Sequence, residues 1–312
     1  MENKKILMAA SPCVGTAGWS YPHWNGIVYP KSFPRGFHPL DFLARHFNVV
    51  EINSSFYQPL KPEVVRLWMR KVEVNPQFLF TAKLHQRFTH ARMLEDPEVT
   101  AFKEGLRPLL RARKLGAVLM QFPWAFRFTA ENREFLIRLR RAFHEFPLVA
   151  EMRHSSWLKE EAIGTFLDYR IGFCNIDQPD YTSAMPPTAY LTSSVGYVRL
   201  HGRNPKNSLG GYDRKFSGQT PVRLRQHDYL YSEAELDEWT KRIERIHRYA
   251  ESTFVIFNND AAGKSVVNAL QLQSTTAGPG VAAPKELRRR YPLELERFGP
   301  QRFEQELLFP AA

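Results

Sequence analysis

The chain is poor in the features that make a sequence easy to classify. It has only two cysteines in 312 residues, Cys13 and Cys174, far apart, which excludes a disulfide-stapled scaffold and leaves both as reduced, buried thiols. No apolar run approaches the roughly 18 residues that span a bilayer, which argues against a membrane protein. The stretch Met1 to Gly15 holds only Ile6-Leu7-Met8-Ala9-Ala10 behind two lysines. That is shorter than a secretory core of about 7–15 residues, so no signal peptide is read and a cytoplasmic location is expected. Compact signature motifs are missing too. Gly263-Lys264-Ser265 ends like a phosphate-binding loop, but the glycine required at position 258 is Asn258, and the segment is read as a helix start. Gly15 to Gly18 does not form G-x-G-x-x-G, no His-Glu-x-x-His occurs, and Ser54-Ser55 has no evident His or Asp partner.

What is present is charge, aromatics and a repeated unit. Net charge is +11, from 43 Lys and Arg against 32 Asp and Glu, which favours anionic partners without naming one. The basic residues cluster at Arg107, Arg111, Arg113 and Lys114, at Arg138, Arg140 and Arg141, and at Arg288 to Arg290; each run reads first as a solvated helix face. Short apolar runs alternate with helix-period segments. The runs are 14–16, 49–53, 78–83, 117–121, 148–153, 172–177, 197–201 and 253–258. Helices are expected over 40–47, 62–72, 97–114, 130–146 and 156–170, and from a capping box at Ser232-Glu233-Ala234-Glu235 through Tyr249. Eight strands separated by helices imply right-handed crossovers and closure into a TIM (β/α)8 barrel. One domain is expected over residues 1–312, with the barrel core at about 13–272. Gln178 to Ser194 reads as a loop, Gly202 to Ser232 as a long excursion after the seventh strand, and 278–312 as a helical extension packed outside.

Residues two apart on a strand face the same way, and a barrel's chemistry sits at the carboxyl ends of its strands. Those ends carry Glu51 and Asn53, Lys83, Gln121, Glu151 and Arg153, Asn175 and Asp177, Arg199 and His201, and Asn258 and Asp260. The first strand opens instead into glycines and aromatics from Gly15 to Tyr21, a candidate wall. Charges gathered inside a barrel must pair, and the two signs are present in nearly matching number.

These residues carry a resemblance. Gly15-Thr16-Ala17-Gly18-Trp19-Ser20-Tyr21 with Trp24 and Tyr29-Pro30, then Val50-Glu51-Ile52-Asn53-Ser54-Ser55-Phe56-Tyr57, resemble the YecE-like family, domain of unknown function number 72. So do Phe80-Thr81-Ala82-Lys83 with Thr89-His90, Gln121-Phe122-Pro123, Glu151-Met152-Arg153-His154 with Trp157, Arg199-Leu200-His201-Gly202-Arg203, and Phe257-Asn258-Asn259-Asp260. The resemblance implies a TIM barrel and assigns no reaction. One departure stands out: Tyr212 is followed by about twenty residues containing Arg214, Lys215, Arg223 and Arg225, where the family leads quickly into a helix.

Three chemistries fit the strand ends. The first is an enzyme acting on an anionic, phosphate-bearing compound such as a nucleotide or a nucleic-acid end, of the hydrolase or phosphodiesterase kind. There Lys83, Arg153, Arg199 and Arg203 supply charge-assisted donors, and Glu51 or Glu151 acts as general base. His201 or His90 acts as acid or base, and Trp19, Tyr21, Trp24, Phe56 and Tyr57 stack a ring. Asn53, Gln121, Asp177, Asn258, Asn259 and Asp260 complete the binding set. The second is a divalent-metal hydrolase or isomerase using Glu51, Glu151, Asp177, His201 and Asp260, although three cations share the same rim and compete for those carboxylates. The third is a non-catalytic nucleic-acid-binding protein, for which no recognised module is visible.

Overall fold

The structure, a computed structural model, describes residues 11–204, 227–278 and 282–299. All eight apolar runs form strands: β1 Cys13–Ala17, β2 Val49–Ile52, β3 Leu79–Lys83, β4 Leu115–Gln121, β5 Leu148–Glu151, β6 Gly172–Asp177, β7 Val195–Leu200 and β8 Ser252–Phe257. Neighbours pair in parallel in chain order, and β8 returns to β1, so the fold is a single closed α/β barrel of the TIM type.

Helices follow the strands on the outside: α1 Pro39–Ala44, α2 Pro62–Lys71, α3 Gln86–Thr89, α4 Asp96–Arg111, α5 Ala130–Ala142, α6 Glu160–Asp168, α7 Glu233–His247, α8 Lys264–Ala277 and α9 Lys285–Arg290. Prolines open α1, α2 and α4, where a missing N–H costs nothing and the fixed φ suits the first turn. The capping box at α7 is complete, with Ser232 accepting from Glu235 N and Glu235 accepting from Ser232 N. The helix expected over 156–170 is instead a 3-10 turn, Ser155–Leu158, followed by α6. Extended backbone at Lys159 separates the two, and the His154 ring caps the turn. Helix α4 stops at Arg111 because Arg113, at φ 55°, turns the chain into β4. No helix occurs over Gln178 to Ser194, as expected. Most of the excursion after β7 lies outside the described residues, including Tyr212 and its following arginines, as does the chain beyond 299. The described part of the extension packs on the outside: Leu287 of α9 is buried, and Tyr291 donates to Ala262 O at 2.9 Å.

Register decides which side chains enter the barrel. In parallel pairs, partners face the same side. Ala17 pairs with Glu51, Glu51 with Thr81, Gln121 with Glu151, and Ile256 with Arg199. Cys174 pairs with Tyr197 and Ile176 with Arg199, so on β6 the inward residues are Cys174 and Ile176. Asn175 and Asp177 therefore face the helix layer.

Candidate active site

The interior polar cluster is built around Arg199 of β7, 1% exposed. Its Nη2 donates to Glu51 Oε1 at 2.8 Å and its Nη1 to Glu151 Oε2 at 2.6 Å, and both carboxylates are fully buried. Desolvating an ion costs several kcal/mol, so one cation clamped by two anions is stable only if the excess negative charge is met nearby. Arg153 meets it, with Nε 2.6 Å from Glu151 Oε1. Burial alone would push Glu151 up, but Arg153, Arg199 and His201 hold it well below the usual carboxylate range. Beneath, the Tyr197 hydroxyl lies 3.0 Å from Glu51 Oε2 and 2.9 Å from Thr81 Oγ1. With one proton to give, it donates to the carboxylate and accepts from Thr81. The Cys174 thiol sits 3.9 Å from Glu151 Oε2, and burial keeps it protonated.

His201 closes the cluster on the solvent side. Its Nε2 is 3.0 Å from Arg153 Nη2 and 3.5 Å from Arg199 Nη1. Glu151 Oε1 also lies 3.3 Å from Nε2, but the Arg153 donor is nearer, so that nitrogen accepts and the proton of a neutral ring sits on Nδ1. Nδ1 is 3.0 Å from Asn258 Nδ2; with that amide turned over, its oxygen accepts the ring proton. Energetics agree, since burial and then Arg153 push His201 well below the usual imidazole range against the pull of Glu151. One buried atom of this cluster, Arg199 Nε, finds no hydrogen bond among the described residues, whereas Glu151 Oε1 is held by its ion pair with Arg153. Asn53 Oδ1, at the end of β2, is a second. Orphaned buried polar atoms of this kind cost about 1–3 kcal/mol each and mark places held ready for something else.

Lys83, at the end of β3, is 9% exposed and has no carboxylate within 4 Å of its ammonium among the described residues. It lies over the Phe56 ring, 4.1 Å from the centroid. Burial first, then Arg199, lower its pKa to about 7, with Glu51 and Glu151 opposing and Arg153 assisting. The His90 ring stands edge-on to the same Phe56, centroids 5.2 Å apart, and burial and the neighbouring Lys83 lower it to about 4. Gln121 borders the cluster, 3.4 Å from Arg199 Nη1. Tyr57 packs on Phe56 and is 52% exposed.

The remaining expected site residues turn elsewhere. Asp177 faces the helix layer, accepting from Arg203 Nε at 2.9 Å and from the Trp239 indole at 2.8 Å. Arg203 extends onward to Glu235 at 3.0 Å, tying the β7 end to α7 instead of reaching inward. Asn259 donates to Tyr229 O and to Asn268. Asp260 offers its carbonyl to the Trp24 indole at 2.8 Å and its carboxylate to His23 at 3.8 Å, next to the β1 loop. Trp19 packs on Trp68 of α2, centroids 5.0 Å apart, and Tyr21 donates to Ala17 O, closing its own loop through Gly18 at φ 85°. A Cβ at Gly18 would stand 2.7 Å from the Tyr21 hydroxyl, so only glycine fits that turn. The expected aromatic wall is thus supplied by Phe56 and Tyr57, not by Trp19 and Tyr21. The metal set fails for the same reason: Asp177 and Asp260 face away, and Glu51 and Glu151 are given to Arg199. Among the described residues no three His, Cys, Asp or Glu side chains gather to hold an ion.

Tyr197, Thr81, Cys174 and Gln178 belong to the cluster and were not anticipated. Tyr197 and Thr81 stand two residues before Arg199 and Lys83, so carrying the alternation one step further down each strand would have found them. Gln178, which accepts from Arg153 Nη1 at 3.1 Å, lies in a loop and has no such signal.

A family described as protein of unknown function DUF72 matches residues 13–289. UPF0759 protein YunF of Bacillus subtilis strain 168 is 27% identical over 275 residues, covering 83% of this chain and 92% of that protein. UPF0759 protein YecE of Escherichia coli K12 is 33% identical over 115 residues, 36% of this chain and 38% of its own. Among solved structures, a DUF72 family protein from Thermotoga maritima aligns with a TM-score of 0.72 at 29% identity, covering 85% of this chain and 98% of that one. Another, from Enterococcus faecalis V583, aligns with a TM-score of 0.71 at 25% identity, covering 84% and 94%. With the family match spanning residues 13–289 and the barrel shared with the two solved DUF72 structures, this chain belongs to the DUF72 family.

Proposed function

We propose that this chain is an enzyme acting on an anionic, phosphate-bearing substrate at the carboxyl end of its barrel. One observation carries the reading: the layering of charge. The groups that keep some contact with solvent are cations, the Arg153 side chain at 20% exposure and Lys83, whereas both carboxylates lie fully buried beneath them, neutralised by Arg199. An approaching ligand therefore meets donors first. Arg153 offers a planar fork and Lys83 a point charge, with Gln121, Asn53 and Asn258 as neutral polar neighbours. Tyr57 and Phe56 provide an apolar flank.

The layering also reassigns the proton chemistry. Glu151 is held ionised by its cations, and Glu51 is given to Arg199 and Tyr197, so their role is to orient the guanidinium groups. The neutral bases at the opening are His201 and His90, both with pKa lowered. The basic surface adds little. Arg107 is paired with Glu104 and Arg289 with Glu286, each three residues away, and Arg140 donates to the Tyr169 carbonyl. Among the described residues no helix is long and apolar enough to cross a membrane.

Calorimetric titration with inorganic phosphate tests the reading. Wild type should bind, and Arg153→Ala should lose about tenfold in affinity, the worth of one charge-assisted contact. Equal affinities, or a wild type that does not bind, would overturn it.

A further inference from the structure

Lys83 is the group that the anion-binding reading uses least well. A lysine that serves only as a counter-ion is better left at the surface, fully charged, on its flexible stem. Here the amine is drawn inward over the Phe56 ring, where it feels the positive charge of Arg199 and Arg153 and has no direct carboxylate partner among the described residues. The carboxylates of the cluster are occupied: Glu51 by Arg199 and Tyr197, Glu151 by Arg199 and Arg153. Burial and neighbouring positive charge are the two conditions that convert a lysine from a cation into a nucleophile, because both disfavour the ammonium.

We propose that Lys83 forms an imine with a small aldehyde or ketone that carries a carboxylate or phosphate, the anionic group resting on Arg153. The inference rests on the anion-binding reading above and names the substrate class of that same site. The step balances without an oxidant or reductant. The Nζ lone pair adds to the carbonyl carbon and the carbonyl π bond breaks, giving a carbinolamine. Nitrogen then releases a proton, the hydroxyl takes one and departs as water, and the C=N bond forms. Amine and carbonyl give imine and water. His90, neutral and packed on the same Phe56 ring, is placed to carry the proton between the two atoms. At neutral pH a substantial share of Lys83 is the free amine that this addition requires, with its pKa near 7. On taking a proton from solvent the imine becomes an electron sink, so the chemistry it supports is bond making or breaking at the carbon next to the former carbonyl.

The test is reductive trapping on the wild-type chain. The protein is incubated at pH 7 with pyruvate, with glyceraldehyde 3-phosphate, or with neutral propanal, reduced with cyanoborohydride, digested, and mapped by mass spectrometry. The expected result is modification of Lys83 at least tenfold faster than of surface lysines such as Lys159 and Lys241, with one of the two anionic probes, suppressed by added sulfate. Which anionic probe labels faster identifies carboxylate or phosphate as the anchoring group. Equal labelling of all lysines overturns the imine. Labelling of Lys83 by propanal as fast as by both anionic probes overturns the anionic substrate class. Phosphate binding in the calorimeter without any trapping at Lys83 overturns the imine and leaves the anion-binding reading standing, whereas failure of both experiments removes the two together. Because the readout is a mapped mass on the unaltered protein, it does not depend on a variant that folds.

Discussion

Two ionic clusters sit a few residues apart at the same end of this barrel, each centred on arginine–carboxylate pairs, and they are built to opposite specifications. The outer one joins Asp177, Arg203, Trp239, Glu235 and Tyr229 between β6, β7 and α7. There Asp177 receives the Arg203 guanidinium and an indole N–H, and Glu235 receives Arg203, the Tyr229 hydroxyl and the backbone of its own cap. The inner one joins Glu51, Glu151, Arg199, Arg153, His201 and Lys83. Among the described residues it leaves Arg199 Nε without a hydrogen-bond partner and keeps an amine with no carboxylate beside it. A cluster whose members satisfy one another holds elements together. One that stays under-satisfied while buried stores free energy that a ligand can recover.

The contrast can be broken at its strongest point first. Arg199→Met removes the one cation between two fully buried carboxylates, and a lost partner in a buried pair costs about 3–5 kcal/mol. The urea midpoint should fall accordingly, and a loss under about 1 kcal/mol would show that the cluster relaxes or hydrates freely. Asp177→Asn is expected to cost less, about 1–3 kcal/mol, because Arg203 is partly exposed and retains Glu235. It should leave phosphate affinity unchanged. An Asp177→Asn variant that lost anion binding would merge the two clusters into one functional unit.

A finer test concerns pH. The groups facing Lys83 are Arg199, Glu51, Glu151, Arg153 and, across Phe56, His90. Its pKa, about 7, lies below its unfolded value of 10.5, so below pH 7 the folded chain holds a buried ammonium at a cost that disappears as pH rises. Between those two values the unfolded chain binds more protons, so folded stability rises with pH across that window. Anion binding runs the other way. Sulfate keeps its charge over this range, so its affinity should fall as pH rises from 6 to 8, by up to about tenfold, and the slope should vanish in Lys83→Met. A slope unchanged in that variant would assign the titration elsewhere. The smallest effect belongs to the outer cluster: Ser232→Ala should cost about 1 kcal/mol through the lost cap of α7, with no change at the inner site.

Much of this was legible in the sequence. Alternating apolar runs and helical segments, Pro39, Pro62 and Pro97 at helix starts, and the Ser232–Glu235 box are local signals, and local signals specify local structure. They were enough to count eight strands and hence to close the barrel. The i, i+2 pairs Glu51 with Asn53, Glu151 with Arg153, and Arg199 with His201 also named the centre of the cluster, because strand alternation is a property of the chain itself. What they could not supply was phase. On β6 the polar residues Asn175 and Asp177 have the same spacing as Arg199 and His201 on β7, yet one pair faces the helices and the other the interior. That choice is made by register with the neighbouring strand, where Cys174 falls beside Tyr197 and Ile176 beside Arg199. The sequence by itself determined which residues could be polar at the barrel's end and that the strands would close around them. Only the tertiary structure decided which of them share a space, because burial, pairing and the depressed basicity of Lys83 depend on side chains more than a hundred residues away in the chain, such as Arg199.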